Sequence, residues 1–392
     1  MGPLNDIRVL ELGQLIAGPF CGQLLGDLGA EIIKVEPPGT GDPMRQWGQG
    51  LPVWWSVIAR NKKSVTLNLR ETEGQELLKE LVAKTDVLIE NFRPGTMEKW
   101  QLGYAALAEI NPGLIMVRVS GFGQTGPYAQ RAGYGSIGEA MGGIRYLVGD
   151  PDRPPSRVGL SIGDSLAATF ACVGTLAALH SRDHSGRGQM VDSAIYEAVL
   201  AMMESTIPEY TVGGIIRERS GAILPKIAPS NVYPTADGEM IVMGANQDSV
   251  FARLCSAMGR DGLAQDARFV DHAARGEHQA ELDALISEWT GVIAAAELLE
   301  ILENHSVPAG RIYRAPEMLA DPQFAARDAI IDVAHPDYPN LKMQNVVPKL
   351  SATPGAVKWP GPELGEHSAE VFGDLLGLSE ERLADLRARG IV

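Results

Sequence analysis

One aspartate, Asp164, stands in a setting that suits both structure and chemistry. It follows Gly163 and precedes an almost wholly apolar stretch that runs to Leu179. Aspartate is a preferred residue at the start of a helix, where its carboxylate accepts hydrogen bonds from free amide groups, so an N-cap role is the simplest interpretation. The neighbouring glycine allows a ligand to approach closely, and a helix N-terminus favours the ionised carboxylate. Asp164 is therefore also a candidate covalent nucleophile.

Few other side chains compete with Asp164 for a chemical role. The seven histidines show no HExxH or other metal-ligating spacing, and the sequence has no GxSxG nucleophile elbow. The three cysteines, Cys21, Cys172 and Cys255, lie in apolar surroundings rather than in the electropositive turns that make a thiol reactive. A carboxylate that acts as a nucleophile or a base is the chemistry that the sequence favours.

The N-terminal part of the chain alternates short apolar strands with amphipathic helices. The predicted strands cover residues 7–12, 31–36, 65–69, 86–90 and 114–119, and the predicted helices cover residues 19–28 and 72–84. Short connections from strand to helix to strand imply right-handed crossovers within a parallel sheet. The predicted fold class is therefore α/β, with a Rossmann-like, doubly wound sheet.

Glycine-containing loops follow four predicted strands, at the sheet edge where such folds bind ligands. They cover residues 13–19, 37–42, 91–95 and 120–127. The first loop is not GxGxxG, which disfavours a nicotinamide or flavin dinucleotide, and no Walker A sequence occurs. The basic run 60–63, together with Arg70, is either a solvated face or a phosphate contact in an otherwise acidic chain.

Composition and charge narrow the classes of partner. The chain has 392 residues, a formal net charge of −15 and 45% hydrophobic residues. This composition is typical of a soluble globular protein, and the acidic balance argues against nucleic acid as a partner. Cysteine usage favours a reducing compartment. We expect no signal core in residues 1–8 and no apolar run long enough to span a bilayer, hence a cytoplasmic protein without membrane contact.

The character of the chain changes near residue 206. Prolines and glycines mark an irregular passage, after which a hairpin is predicted around Asp237 and Gly238, followed by three helical stretches. The second half thus differs in composition from the α/β first half. The predicted organisation is a large domain over 1–205, a linker over 206–224, a smaller α+β domain over 225–315, and a second linker with the C-terminal part of the large domain over 316–392.

A series of short motifs resembles those of the class III CoA-transferases over essentially the whole chain. The motifs cover residues 17–19, 28–36, 41–45, 91–95, 121–127, 163–164, 186–189 and 364–367. The resemblance implies an interlocked, ring-like homodimer, in which both termini of each chain build the Rossmann-like large domain and a smaller domain links to it. It implies a coenzyme A thioester and a carboxylic acid as substrates, with no permanently bound cofactor. It also implies that Asp164 is the nucleophile and forms first an aspartyl anhydride and then an aspartyl-CoA thioester.

The same resemblance assigns the contacts to CoA residue by residue. They fall on Ile16, Ala17, Leu67, Arg70, Asn91, Phe92, Arg93, Lys99 and Arg131. Formyl-CoA transferases have a glutamine where this chain has Ile16, an acid where it has Gly135, and a tetraglycine loop that it lacks. These differences argue against formyl/oxalate exchange.

The family also contains racemases, which pair the aspartate with a histidine. That position is Tyr134 here, a poor base near neutrality because its ordinary pKa is about 10. CoA transfer is therefore favoured over racemisation of a 2-methylacyl-CoA by Asp164, which stays the alternative. A homologue that binds CoA without turnover is a third interpretation.

Residues 139–146 resemble the subgroup that moves CoA from succinyl-CoA to dicarboxylates such as malate, citramalate or itaconate. Tyr134, Glu139 and Arg145 are the predicted substrate residues. A second carboxylate on the substrate requires a cation, and Arg145 is the nearest candidate in the sequence. The other interpretation of Arg145 is a salt bridge at the surface or between subunits.

Overall fold

A six-stranded sheet forms the centre of the larger of two compact units. The computed structural model describes residues 2–48 and 50–392. The strands of this sheet are Arg8–Glu11 (β1), Glu31–Glu36 (β2), Lys62–Thr66 (β3), Val87–Glu90 (β4), Ile115–Ser120 (β5) and Met190–Ala194 (β6). They lie in the order β3-β2-β1-β4-β5-β6, and every neighbouring pair is parallel. The predicted α/β class and its parallel sheet are confirmed.

Helices connect and cover these strands. Those up to residue 213 are Ala17–Asp27 (α1), Val53–Ile58 (α2), Thr72–Val82 (α3), Thr96–Lys99 (α4), Tyr104–Ile110 (α5), Gly135–Met141 (α6), Ile144–Leu147 (α7), Ile162–Ser185 (α8), Ile195–Leu200 (α9) and Thr206–Gly213 (α10). The direction of winding reverses between β1 and β4, which is the point where doubly wound sheets bind ligands, at the carboxyl ends of the strands.

The remaining elements belong to the C-terminal half. The strands are Ser230–Pro234 (β7), Met240–Gly244 (β8), Ala309–Arg311 (β9), Ile330–Asp332 (β10) and Lys342–Gln344 (β11). The helices are Asp248–Ala257 (α11), His272–Glu277 (α12), Gln279–Thr290 (α13), Ala295–Asn304 (α14), Ala315–Ala320 (α15), Pro322–Ala326 (α16), Ser368–Leu376 (α17) and Glu380–Ala388 (α18). β7 and β8 form the hairpin predicted around Asp237 and Gly238.

Side chains alternate between the two faces of the large sheet, so each face has its own apolar core. Leu10 and Ile33 belong to the core that contains residues of α3, α17 and α18. Val9 and Ile32 belong to the opposite core, which contains residues of α1 and α8. Since both faces are covered by helices, the carboxyl ends of the strands are the part of the sheet left for a ligand.

The two units divide the chain discontinuously. The larger unit takes in the residues up to Arg145, then Val158–Ile215 and Ala325–Val392. The smaller unit takes in Tyr146–Arg157 and Ile216–Phe324, with a three-stranded antiparallel sheet and its own apolar core. The predicted boundaries at 205, 224 and 315 stay predictions for independently folding domains.

Three expectations from the sequence need correction. The strand predicted over 65–69 is β3, which begins at Lys62, because a lysine buried by an ion pair looks like a loop residue in the sequence. β6 was not predicted, because its first three residues are exposed or half-buried and its two buried residues are Ser193 and Ala194, so it lacks an apolar run. By length and composition α8 could cross a membrane, with 24 residues and an 18-residue stretch of mean hydropathy 1.5, contrary to the expectation that no run is long enough. In this fold it packs on α1 and the sheet.

Candidate active site

Asp164 lies in the first turn of α8, as its third residue. The N-cap residue is Ser161, so the simplest interpretation of Asp164, an N-cap role, is wrong. A carboxylate in the first helical turn is still favoured in its ionised form, because the free amide groups there carry a partial positive charge. Asp164 is half-buried.

Gly135, the first residue of α6, lies directly against the carboxylate of Asp164. A methyl group added at Gly135 would overlap the carboxylate and come within 2.8 Å of Cγ. Gly133, two residues earlier, packs as closely on Gly121, in the loop that follows β5. Two glycine contacts thus bring α6 and the N-terminus of α8 to the carboxyl edge of the sheet.

A buried acid, Glu139, connects the two helices. It is 1% exposed, and its Oε1 accepts a hydrogen bond of 3.4 Å from the amide of Gly163, next to Asp164. Its Oε2 accepts a hydrogen bond of 3.0 Å from Nε of Arg145. The predicted substrate residues Glu139 and Arg145 are therefore joined to each other and to the backbone beside Asp164.

Tyr134 is the third predicted substrate residue. It precedes α6 in an extended conformation, and its carbonyl oxygen accepts hydrogen bonds from the amides of Ile137 (2.9 Å) and Gly138 (3.1 Å). Its side chain is 56% exposed. Tyr134 therefore presents a phenol to solvent at the residue next to Gly135.

A cavity of about 990 Å³ opens at the carboxyl ends of β1, β2, β3 and β4. Leu67, Arg70 and Phe92, three of the predicted CoA contacts, line it. Arg70 is exposed, whereas Leu67 is buried. The lining continues through the loop after β2, at Pro37, Pro38, Thr40 and Gly41. This cavity is the place where the structure brings predicted CoA contacts from different loops together.

The other predicted CoA contacts have varied settings. Ile16 and Ala17 are buried at the start of α1, so they offer backbone groups rather than side chains. Asn91 makes two hydrogen bonds with the backbone of Gln14, of 2.7 and 2.9 Å, and so ties the loop after β4 to the loop after β1. These residues shape the loops around the cavity.

Three predicted cationic contacts, Arg93, Lys99 and Arg131, are exposed. Arg93 donates a hydrogen bond to the carbonyl oxygen of Gln130, which ties the loop after β4 to the segment before α6. The guanidinium of Arg131 stacks over the ring of Tyr128, with Cζ 3.7 Å from the ring centroid. Arg93 and Arg131 thus lie on loops, and Lys99 lies at the end of α4, around the carboxyl edge of the sheet.

The basic run 60–63 is not a solvated face, because three of its four residues are buried, and its cations are engaged in ion pairs rather than open to a phosphate. Arg60 is buried and pairs with Asp27 at 2.5 Å. Lys62 is buried and pairs with Glu11 at 2.7 Å. Lys63 pairs with Glu31. Because the cationic groups are already neutralised by acids from distant parts of the sequence, the spacing of the run could not reveal their roles.

Another buried ion pair, which the sequence did not indicate, lies under the loop after β4. Arg118 pairs with Glu90 at 2.6 Å and with Glu98 at 2.6 Å. The other oxygen of Glu90 accepts a hydrogen bond of 2.6 Å from the amide of Phe92. Burial raises the pKa of Glu90 to about 6, despite the opposing charge of Arg118. The sequence signal that could have indicated this ion pair is a charged residue at the end of an apolar strand, as Glu90 is in β4.

Comparison with known proteins supports one family for the whole chain. The sequence profile of CoA-transferase family III matches residues 4–368. Over its full length, the chain is 63% identical to the succinyl-CoA–D-citramalate CoA-transferase of Chloroflexus aurantiacus and covers 98% of it. It is 41% identical to the beta subunit of the succinyl-CoA–L-malate CoA-transferase of the same organism, again over its full length and 98% of the relative.

Solved structures give the same result for the fold. A CAIB/BAIF family protein from Brucella suis matches with a TM-score of 0.85 and 36% identity, over 95% of this chain and 99% of the other. A hypothetical protein from Mycobacterium tuberculosis matches with a TM-score of 0.84 and 30% identity, over 94% of this chain and 99% of the other. The chain belongs to CoA-transferase family III.

Proposed function

We propose that this enzyme transfers CoA from succinyl-CoA to a dicarboxylate, with citramalate as the first acceptor to test and malate and itaconate next. The relatives named for citramalate and malate transfer support this choice of substrates. The observation that carries the chemistry is the carboxylate of Asp164, a half-buried residue in the first turn of a helix, against which Gly135 places no side chain. This position favours the ionised carboxylate, which is the form that attacks a thioester carbonyl.

The reaction begins when a carboxylate oxygen of Asp164 attacks the thioester carbonyl carbon of succinyl-CoA. The carbon–sulfur bond breaks, CoA leaves as a thiolate, and a succinyl–aspartyl anhydride remains. The thiolate then attacks the aspartyl carbonyl carbon, which gives an aspartyl-CoA thioester and releases succinate. The acceptor carboxylate attacks this thioester, and the thiolate that leaves attacks the acceptor carbonyl carbon of the new anhydride. Asp164 is thereby regenerated, and every intermediate stays activated.

The cavity at the carboxyl ends of the strands is the proposed site of the CoA nucleotide. Its volume of about 990 Å³ is at the upper end of the range typical for ligand pockets, as a large substrate requires. Arg70 supplies a cation at its rim, and Leu67 and Phe92 supply apolar surface. Arg93, Lys99 and Arg131 add positive charge on the neighbouring loops and at the end of α4, where the phosphates and the pantetheine chain pass towards Asp164.

Arg145 is the proposed partner of the second carboxylate of the acceptor. Its Nε is held by Glu139, and its side chain is 27% exposed, so the guanidinium is oriented and still accessible. Glu139 itself is too deeply buried to contact a substrate directly and acts through Arg145 and the amide of Gly163. Tyr134, exposed beside Gly135, contributes its hydroxyl to the acceptor side.

We also propose that two copies of this chain form an interlocked homodimer, as the resemblance to the family implies. α10 has no buried residue, and its Tyr210 and Val212 are 59% and 90% exposed. On α8, Phe170 and Val173 are 41% and 57% exposed. Large exposed apolar side chains, such as those on α8 and α10, are typical of a surface that a partner covers. Light scattering coupled to size-exclusion chromatography would give the mass of one chain if this proposal were wrong.

The proposed function is tested by an exchange assay. The enzyme is incubated with succinyl-CoA and each of citramalate, malate, itaconate and the monocarboxylate acetate, and the new thioester is identified by mass spectrometry. We expect a dicarboxyl-CoA product and free succinate in equal amounts, with no product from Asp164→Asn. Incorporation of solvent deuterium at the α-carbon of a 2-methylacyl-CoA, without acid exchange, would contradict the proposal and support racemisation.

A further inference from the structure

Four buried charges lie beneath two loops of the cavity. Glu11 ends β1, Lys34 lies in β2, Lys62 begins β3, and Asp42 lies in the loop after β2. None of these side chains is more than 1% exposed. We call these residues the buried-charge quartet.

The quartet is neutral and continuous. Nζ of Lys34 lies 3.2 Å from Oε1 of Glu11 and 2.9 Å from Oδ2 of Asp42, and Nζ of Lys62 lies 2.7 Å from Oε2 of Glu11. Two lysines therefore balance two carboxylates. Burial alone would lower the pKa of Lys34, but the charges of Asp42, Glu11 and Glu36 outweigh it and raise the pKa. Lys34 is thus held in its charged form, whereas burial lowers the pKa of Lys62 against the attraction of Glu11.

Each lysine also donates to the backbone at one end of residues 13–19, which comprise the loop after β1 and the first turn of α1. Nζ of Lys34 donates a hydrogen bond to the carbonyl oxygen of Gly13, and Nζ of Lys62 donates one of 2.7 Å to that of Pro19. Between them, the amide of Leu15 donates a hydrogen bond of 3.1 Å to Oδ1 of Asp42. Leu15 has a φ of 63°, a left-handed conformation that is unfavourable for leucine. Such strain persists only where surrounding contacts fix the backbone.

Asp42 extends the same network to the second loop. Its Oδ1 accepts a hydrogen bond of 2.9 Å from the amide of Met44, and its own amide donates one of 2.9 Å to Glu36. Residues of both loops line the cavity, Gln14 in the first and Pro43 in the second. The quartet therefore joins the two loops from below.

Stability alone does not account for this arrangement. Replacing a buried ion pair by apolar residues of similar volume is often neutral or stabilising, because desolvation of the charges opposes their attraction. α1 is also adapted to the quartet, since a methyl group at Gly22 would lie 3.0 Å from Cδ of Glu11 and overlap its carboxylate. The charges also fix particular backbone positions, because Nζ of Lys34 donates to a carbonyl of the loop after β1 and Nζ of Lys62 donates to a carbonyl in the first turn of α1.

We propose that the buried-charge quartet consists of positioning residues, which hold residues 13–19 and 37–46 in the conformation that binds the CoA part of the substrate. The identity of that ligand rests on the proposed function. The residues act through the loop backbone and do not touch the substrate. Their loss should therefore weaken CoA binding and raise the KM for succinyl-CoA more than it lowers kcat.

The test uses a charge-balanced double variant, Glu11→Gln with Lys62→Met, which leaves the pair between Lys34 and Asp42 in place. Calorimetric titration with free CoA should give a Kd raised about tenfold, as expected for the loss of one charge-assisted loop contact. Hydrogen exchange should become faster in the peptide that covers residues 13–19. The matched control is Lys63→Met, on the same strand, whose surface pairs with Glu31 and Glu370 leave the loops untouched.

A folded double variant with an unchanged Kd for CoA and unchanged exchange at residues 13–19 would overturn the proposal. Exchange that increases equally throughout the chain would overturn it too, because that indicates a general loss of stability. If the double variant does not fold, Asp42→Asn applies the same two readouts, with a smaller rise in Kd expected. A wild-type enzyme that binds CoA without transferring it would refute the proposed function. The positioning role of the quartet would still be tested by the Kd for CoA and by hydrogen exchange at residues 13–19.

Discussion

The Cα of Gly135 packs on the carboxylate of Asp164, and no larger side chain fits between α6 and α8 at this point. A methyl group there would overlap the carboxylate and lie 2.8 Å from its Cγ. Gly163 has the reciprocal relation to Glu139, since a methyl group on Gly163 would lie 3.0 Å from Cγ of Glu139. Each helix thus offers a glycine to an acid of the other helix, and this sets the position of the nucleophile.

Gly135→Ala should displace the Asp164 carboxylate from the attacking position. We expect kcat to fall about 100-fold, as is usual for a misplacement of roughly 1 Å, while the KM for succinyl-CoA changes little. The matched control is Gly244→Ala, at a glycine with open space around it. A Gly135→Ala enzyme with wild-type kcat would show that the contact does not position Asp164.

Arg145 should determine the preference for dicarboxylates. Because Glu139 is buried beside it, the charge-balanced double variant Glu139→Gln with Arg145→Gln avoids leaving an unpaired buried acid. We expect the KM for citramalate to rise at least about tenfold, the usual cost of losing a charge-assisted contact, with the KM for succinyl-CoA rising similarly. A monocarboxylate acceptor should be affected much less. An equal rise for both classes of acceptor would contradict the assignment.

Arg70 should contribute to CoA affinity through charge. It is exposed at the rim of the cavity, so Arg70→Gln should raise the Kd for CoA by roughly threefold to tenfold at low salt, and by less at high salt because exposed charges are screened. Calorimetric titration at two salt concentrations measures both effects. Arg187→Gln, at an exposed arginine in the turn after α8, serves as the control and should leave the Kd unchanged.

Glu90 should make stability depend on pH. Burial raises its pKa to about 6, whereas an unfolded chain releases the proton near pH 4.3, so between these values the folded state binds more protons. Stability is therefore expected to fall as the pH rises from about 4.3 to 6, by on the order of 2 kcal/mol for this group, and to level off above that range. Glu90→Gln should lack this component.

Urea denaturation gives the free energy of unfolding of the wild type and of Glu90→Gln at several pH values. The difference between the two proteins isolates the contribution of Glu90. Glu98 lies on the other side of Arg118, and the hydrogen bond from Arg118 lowers its pKa. Glu98 therefore contributes stability that is lost as the pH falls, so the difference between the wild type and Glu98→Gln should have the opposite sign. Curves for wild type and Glu90→Gln that run parallel between pH 4 and about 7 would contradict the prediction.

The strands that the sequence predicted well are those with apolar residues on both faces. β1 and β2 match their predicted ranges closely, because burial on both sides of a parallel sheet leaves a nearly continuous apolar run. β3 was displaced because it begins with Lys62, whose charge is neutralised by Glu11 from a strand about 50 residues earlier. Partners that distant in the sequence leave no local signal.

Parts of the site that depend on a local sequence pattern could be predicted, whereas parts that depend on contacts between distant residues could not. Asp164 follows a glycine and opens an apolar helix, which is a local pattern, and the glycine loops at strand ends mark the ligand edge. The packing of Gly135 on Asp164 and the burial of Glu139 arise from contacts between helices, so they emerge only in the folded chain.

The central claim is that the carboxylate of Asp164 carries CoA during turnover. The most direct measurement is to incubate the enzyme with succinyl-CoA, quench with hydroxylamine, and map the modified peptide by mass spectrometry. We expect an aspartyl hydroxamate at Asp164, and at no other acid, that requires succinyl-CoA and is absent from Gly135→Ala or much reduced in it. Continued CoA transfer by the enzyme without any modification at Asp164, or with modification at a different residue, would contradict the account.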